Sequence, residues 1–146
     1  APSREDVATG IGLGIVLLIL SGAVDGGITF VFQAMHWPTT DTASFNKLLG
    51  SAFSPLGAVV IGVTAGLGEE LSVRGLLQPR FGIVAASVVF ASAHAYQYGP
   101  DALLSVFLLG IGLGVIRAYR STTVSALAHG SYDCLAVLAS LAALHR

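Results

Sequence analysis

The residues able to do chemistry in this chain are few, and they recur at helical intervals. Glu69 and Glu70 close a run of uncharged residues that begins near Ala52, and Arg74 follows in Gly-Leu-Gly-Glu-Glu-Leu-Ser-Val-Arg, residues 66–74. Positions four apart share a helix face, so Glu70 and Arg74 are placed to form an ion pair, while Glu69 lies about 100° round the axis and points elsewhere. The unpaired carboxylate is the candidate for chemistry and the paired one for holding it in place. Phe90 and His94 repeat the spacing, which lets an apolar ring pack beneath an inward-facing imidazole. His129 and Asp133 repeat it again, the geometry for a carboxylate to orient an imidazole or for both to ligate one ion. One carboxylate and two imidazoles can activate a water for attack on a peptide carbonyl, the glutamate taking the proton and an imidazole or metal stabilising the oxyanion. No Ser-His-Asp spacing, His-Glu-x-x-His helix, phosphate loop or dinucleotide fingerprint is present. Composition and spacing leave two readings, an intramembrane hydrolase or a gated polar pathway.

The elements that must position these residues are apolar. Of 146 residues, 54% are hydrophobic and 10% are charged, against roughly 25% charged in a soluble domain. The chain is therefore read as an integral membrane protein surrounded by lipid. Seven basic and eight acidic residues give no basic surface for nucleic acid. Cys134 is the only cysteine, so no intrachain disulfide is expected. A cleavable signal peptide fits poorly, because the first apolar run is long and no small-residue cleavage pattern ends it.

The pattern predicts one all-α domain over 1–146, a polytopic transmembrane bundle of about five helices near 7–32, 52–78, 80–97, 101–117 and 122–144. Gly10 with Gly14, Gly22 with Gly26 and Gly110 with Gly114 form small-xxx-small pairs suited to close helix contacts. Asp25 reads as a headgroup-reaching or capping residue, His36 as a loop residue, Trp37 before Pro38 as an interfacial anchor, and Asp101 as a helix cap. The 44–49 stretch reads as the start of a helix or an interfacial segment. Arg4, Arg74, Arg80, Arg117 and Arg120 fall on one side, against Lys47 and Arg146 on the other, which predicts a cytoplasmic N-terminus.

With these residues in place, the chain resembles the CAAX-protease and bacteriocin-processing family, also called the CPBP or abortive-infection family. Its Glu-Glu-x-x-x-Arg motif matches Glu69, Glu70 and Arg74, its Phe-x-x-x-His motif matches Phe90 and His94, and its final His-x-x-x-Asn motif meets His129 and Asp133. Phe107, Gly110 and Gly114 resemble its glycine-containing helix. The resemblance implies an intramembrane endopeptidase whose cavity opens to the cytoplasmic side or the membrane. It assigns water activation to Glu69 helped by His94, completion of the site to His129 and Asp133, and structural support to Glu70 and Arg74. It implies prenylated CAAX proteins or leader-bearing peptides as membrane-associated substrates. For its non-proteolytic members it implies scaffolding or regulation of partner membrane proteins. A small glycine-rich chain fits a prokaryotic cytoplasmic membrane, and five helices fit a compact or truncated member.

Asp133 departs from that pattern. An asparagine can donate to an oxyanion, whereas an ionised aspartate repels one. Without metal, one of two nearby carboxylates is expected to stay protonated. With metal, Glu69, His94, His129 and Asp133 form a nitrogen and oxygen set acceptable to zinc or another divalent ion. The metal-free version is preferred, with no cofactor.

Overall fold

The computed structural model describes residues 2–44, 50 and 54–144. The expected helix start at 52, the 45–49 segment, Lys47 and Arg146 lie outside the described residues.

The first helix, α1 (Arg4–Ala34), begins at a capping box in which the Ser3 side chain accepts from the Asp6 N–H and Asp6 accepts from the Ser3 N–H. It runs past the expected limits of 7 and 32 and ends where His36 takes a left-handed φ of 54°. Next, α2 (Pro55–Thr64) starts on a Ser54 cap with Pro in its first turn. Two wider π-helical stretches, Ala65–Glu69 and Leu71–Leu77, carry it into α3 (Gln78–Ala93). The remaining helices are α4 (Pro100–Tyr119) and α5 (Thr122–Leu144). The described residues contain no strand, and the all-α class stands.

The second helix does not end at 78 as expected, since Pro79 falls in the first turn of Gln78–Ala93, where a proline costs no hydrogen bond. The break is at Gly82, whose φ of 81° and ψ of 174° are open to glycine alone. Beyond it the chain doubles back. Arg74 Cζ lies 5.0 Å from the Phe90 ring centre, whereas a straight helix would hold these residues about 24 Å apart. The expected span over 80–97 is therefore a short limb, residues 83–93, followed by a turn. At about 16 Å this limb cannot cross a bilayer alone. Four helical stretches are long and apolar enough to cross: Arg4–Ala34, Pro55–Ala93, Pro100–Tyr119 and Thr122–Ala143.

The bundle is built inside out relative to a water-soluble domain. Its largest fully buried side chains include Arg74, Glu70, Ser87 and Ser125, while Ile19, Phe30, Leu56, Phe81 and Val84 are exposed. Such a surface suits acyl chains and such an interior requires mutual satisfaction of polar groups.

Glycines set the close crossings. A methyl on Gly62 would stand 2.5 Å from the Gly130 carbonyl oxygen and one on Gly66 2.6 Å from that of Ala126. These contacts hold α2 antiparallel to α5. Gly14 meets Ala128 and Ser131 of α5, and Gly10 meets Leu127, so α1 runs parallel to α5. Gly110 meets Ser87 and Phe90, and Gly114 meets Ile83. Gly22 and Gly26 have nothing near them, so that expected contact pair is not used among the described residues.

These pairings gather Arg4, Arg80, Arg117 and Arg120 at one end of the bundle. Arg74, counted with them from sequence, is instead fully buried. At the other end Asp101 does not cap its own helix. It accepts from the Thr40 N–H at 2.8 Å and the Thr40 hydroxyl at 2.7 Å, tying the loop after α1 to the start of α4.

Candidate active site

The Gly62 and Gly66 crossing delivers Glu70, one turn further on, against α5. Glu70 is fully buried and has three partners, Arg74 on its own helical stretch and Ser125 and His129 on α5. Arg74 Nε stands 3.6 Å from its Oε2, the Ser125 hydroxyl donates to the same oxygen at 2.5 Å, and His129 Nδ1 lies 3.3 Å from its Oε1. On the far side of the ring, His129 Nε2 lies 3.4 Å from Asp133 Oδ2. Arg74, Glu70, His129 and Asp133 thus form one row of ionisable groups. Each imidazole nitrogen faces a carboxylate oxygen, and both contacts are favourable only if each holds a proton. That arrangement is either His129 cationic between two carboxylates or neutral His129 facing one protonated carboxyl. In both, the row including Arg74 sums to zero charge, which keeps its burial affordable.

Arg74 is held by more than Glu70. Its Nη2 donates to the Gly110 carbonyl at 3.0 Å, its plane lies over Phe90, and Gln78 one turn later donates from Nε2 to the Gly114 carbonyl at 2.8 Å. Gly110 and Gly114 therefore expose carbonyls to this ladder as well as giving space. Ser125 and Gln78 were not singled out from sequence. The signal was present, because Glu70, Arg74 and Gln78 form one four-residue stripe and Ser125, His129 and Asp133 another.

Glu69 points away from this row, as its offset predicts. Its side chain is 37% exposed, while its Oε2, 3.9 Å from His94 Nε2, is buried and has no hydrogen-bond partner among the described residues. The His94 ring is fixed on its other edge, where Nδ1 stands 2.9 Å from the Phe90 carbonyl. A carbonyl only accepts, so Nδ1 carries the hydrogen, and in the neutral ring Nε2 offers its lone pair towards Glu69. Phe90 packs against both imidazoles, with centroids 5.0 Å from His94 and 5.6 Å from His129. Tyr98 stacks on the other side of His94 at 6.0 Å and 13°. Burial, with the nearby Tyr132, Asp133, Asp25 and Glu69 charges, pushes the Tyr98 phenol up to about 12, so it keeps its O–H at neutral pH.

Glu69, His94 and Asp133 line one cavity of about 570 Å³, together with Gln97, Tyr98 and Tyr132. His129 does not line it. The ring is 3% exposed and stands behind Asp133. The four expected site residues therefore divide into three at the cavity and one, His129, behind its wall. Among the described residues no three His, Cys, Asp or Glu side chains converge as a metal-ligand set, and both His129 nitrogens already face carboxylates. The cavity is bordered by the 94–98 turn, by Ile61 and Thr64 of α2 and by Ser140 near the end of α5. It lies towards the bundle end remote from Arg4, Arg80, Arg117 and Arg120.

A family model of Rce1-like type II CAAX prenyl endopeptidases matches residues 51–135, more than half of the chain. The chain belongs to that family. The matched stretch contains every residue of the buried row and of the cavity pair, so the Rce1-like signature and the polar interior coincide. No curated protein and no solved structure matches the chain. As an Rce1-like protein with four membrane-length helical stretches, it is an integral membrane protein of a protease family.

Proposed function

We propose that this Rce1-like protein is an intramembrane endopeptidase in which Glu69 and His94 together activate the hydrolytic water, without a metal. The observation that carries this reading is the 3.9 Å separation between Glu69 Oε2 and His94 Nε2 at the wall of the cavity. Two acceptors at that distance are both reached by one water about 2.8 Å from each, which would donate one hydrogen to the carboxylate and one to the ring. Its remaining lone pairs then face the cavity. As oxygen attacks the peptide carbonyl carbon, Glu69 takes a proton. It returns that proton to the leaving nitrogen as the carbon–nitrogen bond breaks.

The oxyanion needs donors at the cavity wall. Tyr98 keeps its hydroxyl hydrogen and Gln97 carries an amide, and both line the cavity. In this reading they replace the asparagine amide that position 133 lacks. Asp133 accepts from His129 instead, and the row back to Arg74 holds Asp133 and α5 in place as positioning residues. The substrate class is a membrane-associated peptide, with a prenylated C-terminal CAAX sequence as the family's form and an unprenylated leader peptide as the prokaryotic one.

The basic end is the cytoplasmic one in this reading, which places the N-terminus inside. The cavity then faces the membrane or the opposite side rather than the cytoplasm.

Incubation of the purified protein in lipid nanodiscs with a farnesylated CAAX peptide, and separately with a leader peptide, in ¹⁸O-water tests the reaction. One ¹⁸O in the new C-terminal carboxylate is expected. Intact peptides with a folded protein would instead favour a scaffolding or regulatory role.

A further inference from the structure

A second polar chamber lies on the side of the bundle that the hydrolytic site does not use. Ser21, Asp25, Thr29 and Gln33 succeed one another at intervals of four along the apolar α1 span, a stripe about 18 Å long. All four line a cavity of about 350 Å³ between α1, α4, α5 and the loop containing Thr40. A stripe of this kind facing acyl chains would be costly, and polar groups at such depth are kept where they meet protein or water. The cavity has room for about ten waters. Tyr98 and Tyr132 line this chamber and the catalytic cavity alike, and so form the partition between them. Among the described residues no Lys, Arg or His lines the chamber, and Asp25 and Asp101 give it negative charge.

We propose that this chamber is a water-filled half-channel that brings the hydrolytic water from the Thr40 end of the bundle to the catalytic cavity through the Tyr98 and Tyr132 partition. The supply role rests on the hydrolytic reading; the hydration of the chamber does not. The catalytic cavity is bordered on one side by Ile61, Ala136 and Val137, beside the exposed Val60 and Val63, a wall suited to an apolar substrate in lipid, and elsewhere by Thr64, Gln97 and Ser140. Each bond cleaved consumes one water, whose oxygen enters the new carboxylate and whose two hydrogens end on the two products, so a cavity filled by a bound substrate draws that water from its inner wall, where Tyr98 and Tyr132 adjoin the chamber.

The test uses the protein in nanodiscs with Cys134→Ser as background and single cysteines at Ser21, Thr29 and the lipid-facing Ile19. The probes are a trimethylammonium and a sulfonate methanethiosulfonate. Ser21→Cys and Thr29→Cys should react with the cationic probe at least about tenfold faster than Ile19→Cys, since thiolates form only where water reaches. The cationic preference at Thr29→Cys should fall several-fold when Asp25→Asn removes the local charge. Labelling of Ser21→Cys should lower kcat for peptide cleavage with KM unchanged. Stripe positions no faster than Ile19→Cys in an active parent would sink the channel and leave the hydrolytic reading intact. Fast labelling with unchanged kcat would sink the supply role. A parent with no peptidase activity would sink the hydrolytic reading, and the supply role with it, while the labelling rates still decide whether the chamber is wet.

Discussion

Glu70 Oε1 lies 3.3 Å from His129 Nδ1, and this contact joins two pairs that the sequence presents separately. The Glu70 and Arg74 pair and the His129 and Asp133 pair become one buried row that begins at a guanidinium and ends at the cavity wall. Loss of the Glu70 carboxylate leaves Arg74 charged without its counter-ion in low dielectric.

Glu69→Gln and Glu70→Gln should therefore differ despite adjacency. Glu69→Gln should leave folding intact, since its side chain is partly exposed and its buried Oε2 bonds to no packing partner among the described residues. Glu70→Gln should lower stability by about 3–5 kcal/mol, the cost of breaking a fully buried pair. Denaturant or thermal unfolding in detergent measures both, and equal losses would contradict the division of roles.

Asp133→Asn should keep peptidase activity near that of the parent. An Asn oxygen can still accept from His129 Nε2, and an amide adds a donor at the cavity wall. Elemental analysis before and after chelation belongs with this assay. One tightly held divalent ion per chain, lost with activity in Asp133→Asn and restored by excess metal, would overturn the metal-free mechanism.

Gly62→Val should weaken the crossing of α2 on α5 by about 1–3 kcal/mol, because the added carbons meet the Gly130 carbonyl and cannot be accommodated without separating the helices. Gly22→Val should have little effect, since nothing stands near Gly22. Equal melting shifts for the two variants would contradict the packing described.

Orientation follows from the ends of the helices. In a Cys134→Ser background, cysteines at positions 2 and 119 should be labelled from one face and those at 40 and 99 from the other. The expected cytoplasmic face is that of 2 and 119, where Arg4, Arg80, Arg117 and Arg120 gather. Labelling of 2 and 40 from the same face would refute the topology.

The helical class and the polar faces were legible because i, i+4 spacing is a local property: Glu70 with Arg74, Phe90 with His94, and His129 with Asp133 each needed only one helix. What the spacing could not show was which stripes meet. The Glu70 contacts with Ser125 and His129 depend on the depth at which Gly62 and Gly66 cross Gly130 and Ala126, a tertiary quantity. Gly82 was hidden for a related reason. Pro79 is the stronger local punctuator, but in a first helical turn it breaks nothing, and the reversal needs the positive φ three residues later. Asp101 was assigned to its own helix because a cap is the local use of such a residue, whereas a loop 61 positions earlier supplies its partner.

The central claim is that Glu69 and His94 share the attacking water. Its most direct test is kcat for a farnesylated CAAX peptide or a leader peptide in nanodiscs, compared between the parent and a folded Glu69→Gln variant. The account predicts a fall of about 10²–10⁴-fold, the contribution of a positioned general base, with KM unchanged. A Glu69→Gln protein that cleaves at the parent's rate would contradict it.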